Sequence, residues 1–286
     1  MKITDKLIQE IQLNPENYQV LERVPSYKED DILYEENNDD LVRFCAIDTE
    51  TTGLSLENDI AIELGLVEFF VNQNTGLIHK IGRCYNGLED PKKPLDDEVI
   101  EFTGITDEDL KGQAFDDKVV NEILSDDPIM VAHNAKFDAS IIKKRFEKTS
   151  NLRWVCSIKD VEWLKLGYKG RSLESLLKHS GYFYDAHRAI TDCFALIKLL
   201  SMNELAVIDL INAEKAERYV VHAFGNTFHA KDALKARGYQ WDDGSGKQPK
   251  HWWNETEEPD DEMEHLSTLF DTSSVIISIK TSRDRY

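Results

Sequence analysis

The sequence predicts an α/β protein: a mixed five-stranded sheet with helices on both faces, followed by a small αβ module. Three observations carry that expectation. Apolar runs of strand length follow one another closely over residues 42–85, the mark of an antiparallel meander. From about residue 96 to 202, short apolar runs alternate with segments of helical periodicity, which implies parallel crossovers. After about Glu214 the character shifts again, to short elements rich in tryptophan and histidine.

The elements follow in order. Met1 to Leu13 has Ile3, Leu7, Ile8 and Ile11 at helical spacing, and Asn14-Pro15 stops it. A polar, acidic stretch to Asp40 reads as extended or partly disordered. Val42 to Ile47 is a compact apolar run suited to a central strand. Leu54 to Asp59 is a short loop, and Ile60 to Val71 is β-rich. Asn72 to Gly76 makes a hairpin turn and Leu77 to Tyr85 a third strand. Helical pieces are expected at Asp96–Phe102, Asp107–Leu110 and Asp116–Leu124, with Thr106-x-x-Asp109 resembling a capping box. Ile129–Ala132 is a buried strand, Ala135–Phe146 a helix and Arg153–Ser157 another strand. Helices follow at Ile158–Leu166, Ser172–Ser180 and Arg188–Met202, the last with Ile190, Cys193, Phe194 and Ile197 on one face. In the C-terminal region Tyr219–Phe224 and Val275–Ile279 read as strands. Ala230–Arg237, closed by Gly238, and Glu257–Phe270 read as helices.

Composition narrows the function classes. The 286 residues suffice for one large domain and a smaller one. No apolar run approaches the roughly 18 residues of a membrane helix, and the N-terminus lacks the hydrophobic block of a secretory signal, so a cytoplasmic location with no membrane partner is expected. Cys45, Cys84, Cys156 and Cys193 form no CxxC pair and read as free thiols, not as a zinc site. The net charge of −20 sits awkwardly with phosphate binding, which rests on Lys and Arg. Much of it is concentrated in two segments, Lys28–Asp40 and Glu255–Glu264, which read as solvated stretches away from any nucleic acid.

Three acidic motifs stand out. Asp48-Thr49-Glu50 ends an apolar strand, and alternation puts both carboxylates on one face. Such a pair repels itself unless a cation intervenes, and hard, oxygen-liganded Mg²⁺ or Mn²⁺ fits best. Thr51-Thr52-Gly53 then turns the backbone, with Gly53 able to admit a substrate closely. Taken alone, Asp-x-Glu is common and reads sooner as a polar loop starting with a helix cap. In the second motif, His133 to Asp138, a strand gives way to a helix, with Asn134 at the cap and Asp138 in the first turn beside apolar Phe137 and Ile141. The third is His187-x-x-x-x-Asp192. Five residues on a helix rotate by about 140°, so His187 can reach the Asp192 side only from the loop ahead of the helix.

The order of these motifs resembles that of the DnaQ-like exonucleases, the DEDD superfamily in its histidine subtype, which includes bacterial polymerase proofreading subunits. The resemblance covers Val42 to Met202. It is carried by Asp48-Thr-Glu-Thr-Thr-Gly-Leu54, Asp138 and His187-Arg-Ala-Ile-Thr-Asp192, together with Gly104-Ile105-Thr106. The family usually has His before that glycine, whereas Thr103 stands here. The residue pattern itself sets apart an N-terminal helix and acidic extension over 1–40 and a small αβ module of unknown role over 215–286; the resemblance implies a ribonuclease H-like exonuclease fold over 41–204.

It also implies a 3′–5′ exonuclease using two divalent ions, Mg²⁺ or Mn²⁺, and releasing nucleoside 5′-monophosphates. Asp48, Glu50 and Asp192 would hold one ion, and Asp138 would join Asp48 around the second. His187, with an unperturbed pKa of about 6.5, would be the general base. Thr51, Thr52, Gly53, Leu54, Ile105 and Asn134 would contact the terminal nucleotide, whereas His133 reads as strand-end packing. The partner expected is nucleic acid with a free 3′ end, single-stranded or frayed DNA ahead of RNA. The alternatives are an RNase trimming 3′ ends, a proofreading subunit, and an inactive nucleic-acid-binding protein. The complete acid set argues against the last.

In the C-terminal region Trp241, Trp252 and Trp253 read first as a small aromatic core, with a stacking platform for single strands as the alternative. His265-Leu-Ser-Thr-Leu-Phe270 faintly resembles a sliding-clamp-binding peptide, but it lacks the leading Gln, and Leu266 and Leu269 suit a plain amphipathic helix better.

Overall fold

A computed structural model describes residues 5–35, 40–146, 151–246 and 248–286. Residues 1–4 of the expected N-terminal helix and 36–39 of the acidic stretch lie outside the described residues. The chain divides into two compact units, 1–213 with Tyr286 and 214–285.

The first unit begins with helix α1 (Asp5–Leu13) and a two-residue strand β1 (Glu22–Arg23). Three long strands follow: β2 (Leu41–Thr51), β3 (Ala61–Asn72) and β4 (Ile78–Leu88). They pair antiparallel in order. The Asn72 side chain accepts the N–H groups of Asn74 and Thr75 and Gly76 has φ 78°, which closes the expected hairpin turn. Helices α2 (Asp97–Thr103), α3 (Asp107–Leu110) and α4 (Asp117–Ser125) come next, α3 opened by the Thr106–Asp109 capping box. Then come β5 (Ile129–Ala132), α5 (Ala135–Arg145), β6 (Arg153–Cys156), α6 (Leu173–His179), β7 (Tyr182–Phe183), α7 (Ala189–Ser201) and α8 (Glu204–Lys215).

The main sheet has the order β4-β3-β2-β5-β6, with β5 and β6 parallel to β2. This is the mixed five-stranded sheet that the sequence predicts. Alternation along β2 divides the core. Phe44 and Ala46 pack with α6, α7 and α8, whereas Cys45 and Ile47 pack with α4 and α5. Each face is therefore covered by helices, and central strands buried on both sides read as continuous apolar runs.

Two expectations fail here. Residues 158–166 form tight turns instead of a helix. The Asp160 carboxylate accepts the Cys156 N–H (2.8 Å), and Trp163, fully buried, donates its Nε1–H to the Ser157 carbonyl (2.6 Å). These bonds take the backbone away from the helical pattern. The acidic N-terminal stretch is also more ordered than expected: β1 pairs in parallel with β7, and Val24 is buried in the core.

The second unit has a four-stranded antiparallel sheet where two strands were expected. It comprises β8 (Arg218–Ala223), β9 (Gln240–Asp242), β10 (His251–Thr256) and β11 (Val275–Lys280), ordered β11-β8-β10-β9. Helices α9 (Lys231–Ala236) and α10 (Pro259–Ser267) complete it. The aromatic-core reading holds for Trp252 alone. Trp241 is half exposed beside it, and Trp253 lies under the Lys280 ammonium. Leu266 is fully buried in the unit's core with Leu269 and Phe270 packed against it, so the clamp-peptide resemblance falls on side chains already used in packing. The acidic run is not uniformly solvated either, because buried Glu262 accepts from Arg237 and Tyr239.

All four cysteines are free. Among the described residues no helix is long and apolar enough to cross a membrane.

Candidate active site

The site forms at the end of β2, where the alternation that builds the core runs on into the acidic motif. Asp48 and Glu50 continue the face of Phe44 and Ala46, toward α7. Thr49 continues the opposite face, toward α5. Asp48, Glu50 and Asp192 each present an oxygen, and the three oxygens lie within 4.8 Å of one another. Asp138, buried in the first turn of α5, accepts from the Thr49 hydroxyl at 2.9 Å. Three acids thus meet from one side of the sheet and the fourth arrives from the other. All four line one cleft of about 720 Å³.

Burial, with the carboxyls' mutual repulsion added, dominates the electrostatics of the cluster. Burial, with Asp138, Asp192 and Glu50 alongside, holds the Asp48 carboxyl well above the usual carboxylate range. Burial and then the Asp192 and Glu63 charges push Glu50 up to about 7. Asp138 is raised to about 7 by burial, against the opposing effect of the Thr49 hydroxyl. Asp192 is raised by burial, although the Tyr184 hydroxyl and the N–H groups of His187 and Arg188 bond to its charged form. Among the described residues no lysine or arginine forms an ion pair with any of the four. Arg188 is turned instead to fully buried Glu63, which also accepts the Ala189 N–H at 3.1 Å. Hard oxygen donors at this spacing, their carboxyls raised by burial and mutual repulsion, suit a divalent cation of the Mg²⁺ or Mn²⁺ kind.

Helix α7 must lie close to the sheet for Asp192 to join this cluster. Gly65, opposite Asp48 on β3, permits it, since a Cβ there would sit 2.5 Å from the Ala189 carbonyl carbon. His187 occupies the loop before α7 with φ 70° and lines the cleft. Its ring lies against exposed Phe102 of α2, tilted by 34° with centroids 3.7 Å apart.

The remaining expected contacts divide. Thr51, Thr52, Gly53, Leu54 and Asn134 line the cleft, and Leu54 is 87% exposed at its rim. A Cβ at Gly53 would meet the Asp59 carboxylate at 2.6 Å, the group that binds Thr52 and the Ser55 N–H, so the loop packs closely there. Asn134 occupies the cap position of α5 with φ 118°, makes no side-chain capping bond and lines the cleft. Ile105 is not brought to the cleft: it is 2% exposed and packs with Ile62, Leu95 and Leu110. The tight αL turn at Gly104 carries it inward under α2. His133 has both ring nitrogens engaged, Nε2–H donating to the Arg171 carbonyl and Nδ1 bonded to the Ser157 hydroxyl, each at 2.7 Å. Burial lowers its pKa to about 4, so it is neutral.

Sequence reasoning passed over Thr49, Glu63, Gly65, Phe102 and Tyr184. Two of these left a signal. A glutamate and a glycine inside the apolar run of β3 mark a buried partner and a close backbone approach. Phe102 and Tyr184 belong to no local pattern that distinguishes them from core aromatics.

The model of the family described as "RNase_T: Exonuclease" matches residues 45–200. A DNA polymerase III PolC-type protein of Halalkalibacterium halodurans is 40% identical over 107 residues, 37% of this chain and 7% of that protein. The protein of the same name from Listeria innocua is 34% identical over 159 residues, 53% of this chain and 10% of that protein. The chain therefore spans a tenth or less of the length of these relatives. Among solved structures, Exonuclease X in complex with 5′ overhanging duplex DNA aligns with a TM-score of 0.42 at 22% identity, covering 59% of this chain and 99% of that one. E. coli Exonuclease I in complex with a dA16 oligonucleotide aligns at 0.49 and 14%, covering 75% and 63%.

Proposed function

The chain belongs to the RNase_T exonuclease family, and from that premise we propose that it is a 3′–5′ exonuclease of the histidine subtype. Its substrate is the 3′ end of single-stranded or frayed DNA, and its product a nucleoside 5′-monophosphate. The observation that carries the reading is the meeting of the Asp48, Glu50 and Asp192 oxygens within 4.8 Å, in a cleft that also holds Asp138 and His187.

Asp48, Glu50 and Asp192 would hold one divalent ion, and Asp138 with Asp48 a second. Such ions, when bound, stabilise the attacking and leaving oxygens of an in-line displacement. The chain's own groups do the rest. His187, at the cleft wall, takes the proton of the attacking water. Thr49 and Tyr184 hold the Asp138 and Asp192 carboxylates by hydrogen bonds. Leu54 and Phe102, exposed on the cleft, offer apolar surface to the terminal base. Asn134 offers its amide to the strand. The acidic surface disfavours nonspecific duplex binding, which suits an enzyme that engages a single strand end.

The similarity to DNA polymerase III PolC-type proteins favours proofreading as a second reading. Residues 214–285 form a separate compact unit in either case, and a cytoplasmic location suits both.

The test is a time course on 5′-labelled DNA and RNA of one sequence with Mg²⁺, Mn²⁺ or EDTA. A ladder shortening from the 3′ end of DNA is expected. Internal cuts, or shortening that continues in EDTA, would contradict the reading. Faster shortening of RNA would move the substrate to RNA, a choice made by contacts to the 2′-OH.

A further inference from the structure

Residues 19–33 precede the stretch that the family model covers, yet they are fastened to the loop that carries His187. The Glu22 N–H donates to the Gly181 carbonyl (2.8 Å) and the Val24 N–H to the Phe183 carbonyl (2.9 Å). Gln19 Nε2 donates to the Lys178 carbonyl at the end of α6. Among the described residues β1 is the only strand that pairs with β7. The Arg23 guanidinium lies 4.7 Å over the Phe183 ring and 2.6 Å from the Asp185 carboxylate. Val24 is buried, and Tyr27 meets Phe194 of α7 edge-on, centroids 5.6 Å apart. At its far end the segment is tied to β4, where the Leu33 N–H donates to the His79 carbonyl.

The held loop needs such a fastening. Between β7 and α7 it places Tyr184 on Asp192 and sets His187 in the left-handed region, φ 70°. A residue other than glycine keeps that conformation only where its surroundings over-determine it. Asp192 and Phe102 constrain the loop's C-terminal end. Its N-terminal end is constrained by the segment 19–27.

We propose that residues 19–27 are a positioning strap for the His187 loop, so that this protein's catalytic unit extends beyond the family-matched residues 45–200. The catalytic part of the claim rests on the exonuclease reading of His187; the ordering part does not. Arg23 and Val24 are positioning residues, and neither touches substrate.

The test uses the full chain with Val24→Pro, which removes the donor to Phe183, and with Arg23→Ala, Asp185→Ala and the exchanged pair Arg23→Asp/Asp185→Arg. Two quantities are read: amide hydrogen exchange across residues 181–188 without substrate, and kcat with KM on single-stranded DNA. Val24→Pro is expected to speed exchange in the loop and lower kcat about tenfold with KM little changed, since small misplacements of catalytic groups are costly. Arg23→Ala, which breaks a solvent-exposed pair, is expected to lower kcat about threefold. The exchanged pair is expected to restore kcat. Should Val24→Pro fail to fold, the Arg23 and Asp185 variants decide. Unchanged loop exchange overturns the strap, whatever the activity. Faster exchange with undiminished kcat overturns its catalytic role. A wild-type chain that releases no nucleotide overturns the exonuclease reading and the extended catalytic unit with it, while exchange still decides the ordering of the loop.

Discussion

The Thr49 hydroxyl donates to Asp138 Oδ1 across 2.9 Å, joining the central strand to α5 between the two acids of the Asp48-x-Glu50 motif. The residue between the acids has a task of its own, because alternation sends it to the opposite face. Thr49→Val keeps the shape and removes the donor. It is expected to lower divalent-ion affinity or kcat by about 10-fold, the lower end for loss of a group that orients a ligand. Mn²⁺ titration calorimetry and kcat measure it; an unchanged ion affinity and rate would show that Asp138 needs no such hold.

Gly65 sets the depth of the site. A methyl group there would press on the Ala189 carbonyl carbon and the Ile190 nitrogen, both backbone. Gly65→Ala is expected to cost about 1–3 kcal/mol as overpacking and to depress activity further by shifting Asp192. Denaturant unfolding beside kcat checks both effects. A stable variant of normal rate would show that α7 has room to spare.

Glu63 and Arg188 fix the start of the same helix. Arg188→Ala leaves a fully buried carboxylate with only the Asn86 and Ala189 donors. Breaking a wholly buried pair costs ~3–5 kcal/mol, and because the Arg188 side chain is 45% exposed about 2 kcal/mol is expected here. Arg188→Ala/Glu63→Gln is expected to recover part of that loss, since the double variant buries no charge. Urea melts of the single and double variants decide; equal stability of both would contradict the argument.

The raised carboxyls give the metal-free protein a pH dependence of definite sign. Glu50 and Asp138 titrate near 7 in the folded chain, Asp48 and Asp192 are raised as well, and unfolded carboxyls titrate at about 4. Between those values the folded state holds protons that the unfolded state has lost. Their contribution to stability is therefore full below about pH 4 and declines as pH rises through about 7. Bound Mg²⁺ favours the charged form. The rise in melting temperature on adding Mg²⁺ in place of EDTA is expected to be larger near pH 8 than near pH 5.5. Thermal melts at both values measure it, and an equal rise at both would count against a carboxylate ion site.

Phe102 supports the His187 ring from an exposed position. Phe102→Ala is expected to lower kcat about fivefold, an amount typical of an aromatic pair, with Phe102→Trp retaining most of the rate. Steady-state kinetics of the two variants test this; equal losses in both would mean that the ring contact does not matter.

The sheet and the acid motifs were legible in the sequence for one reason. Alternation and burial act locally on β2 and β3, so Phe44 to Ile47 announce a strand and Asp48 and Glu50 its departure from the core. The position of His187 ahead of its helix followed from helical rotation once it was taken to share a site with Asp192. What was not legible depends on partners far along the chain. Trp163 donates to the Ser157 carbonyl against a helical pattern, β7 exists because β1 comes to it, and Ile105 turns inward at the αL turn of Gly104. Gly65 could have been read as a close approach, but not to which helix.

The most direct measurement is single-turnover release of nucleoside 5′-monophosphate from 3′-labelled single-stranded DNA, by the wild-type chain and by Asp48→Asn. The wild type is expected to release mononucleotide with Mg²⁺ and none in EDTA. The variant is expected to lose more than the ~100-fold that marks loss of a ligand's supporting partner, because it loses the carboxylate itself. Release by Asp48→Asn at a comparable rate, or by the wild type in EDTA, would contradict the account.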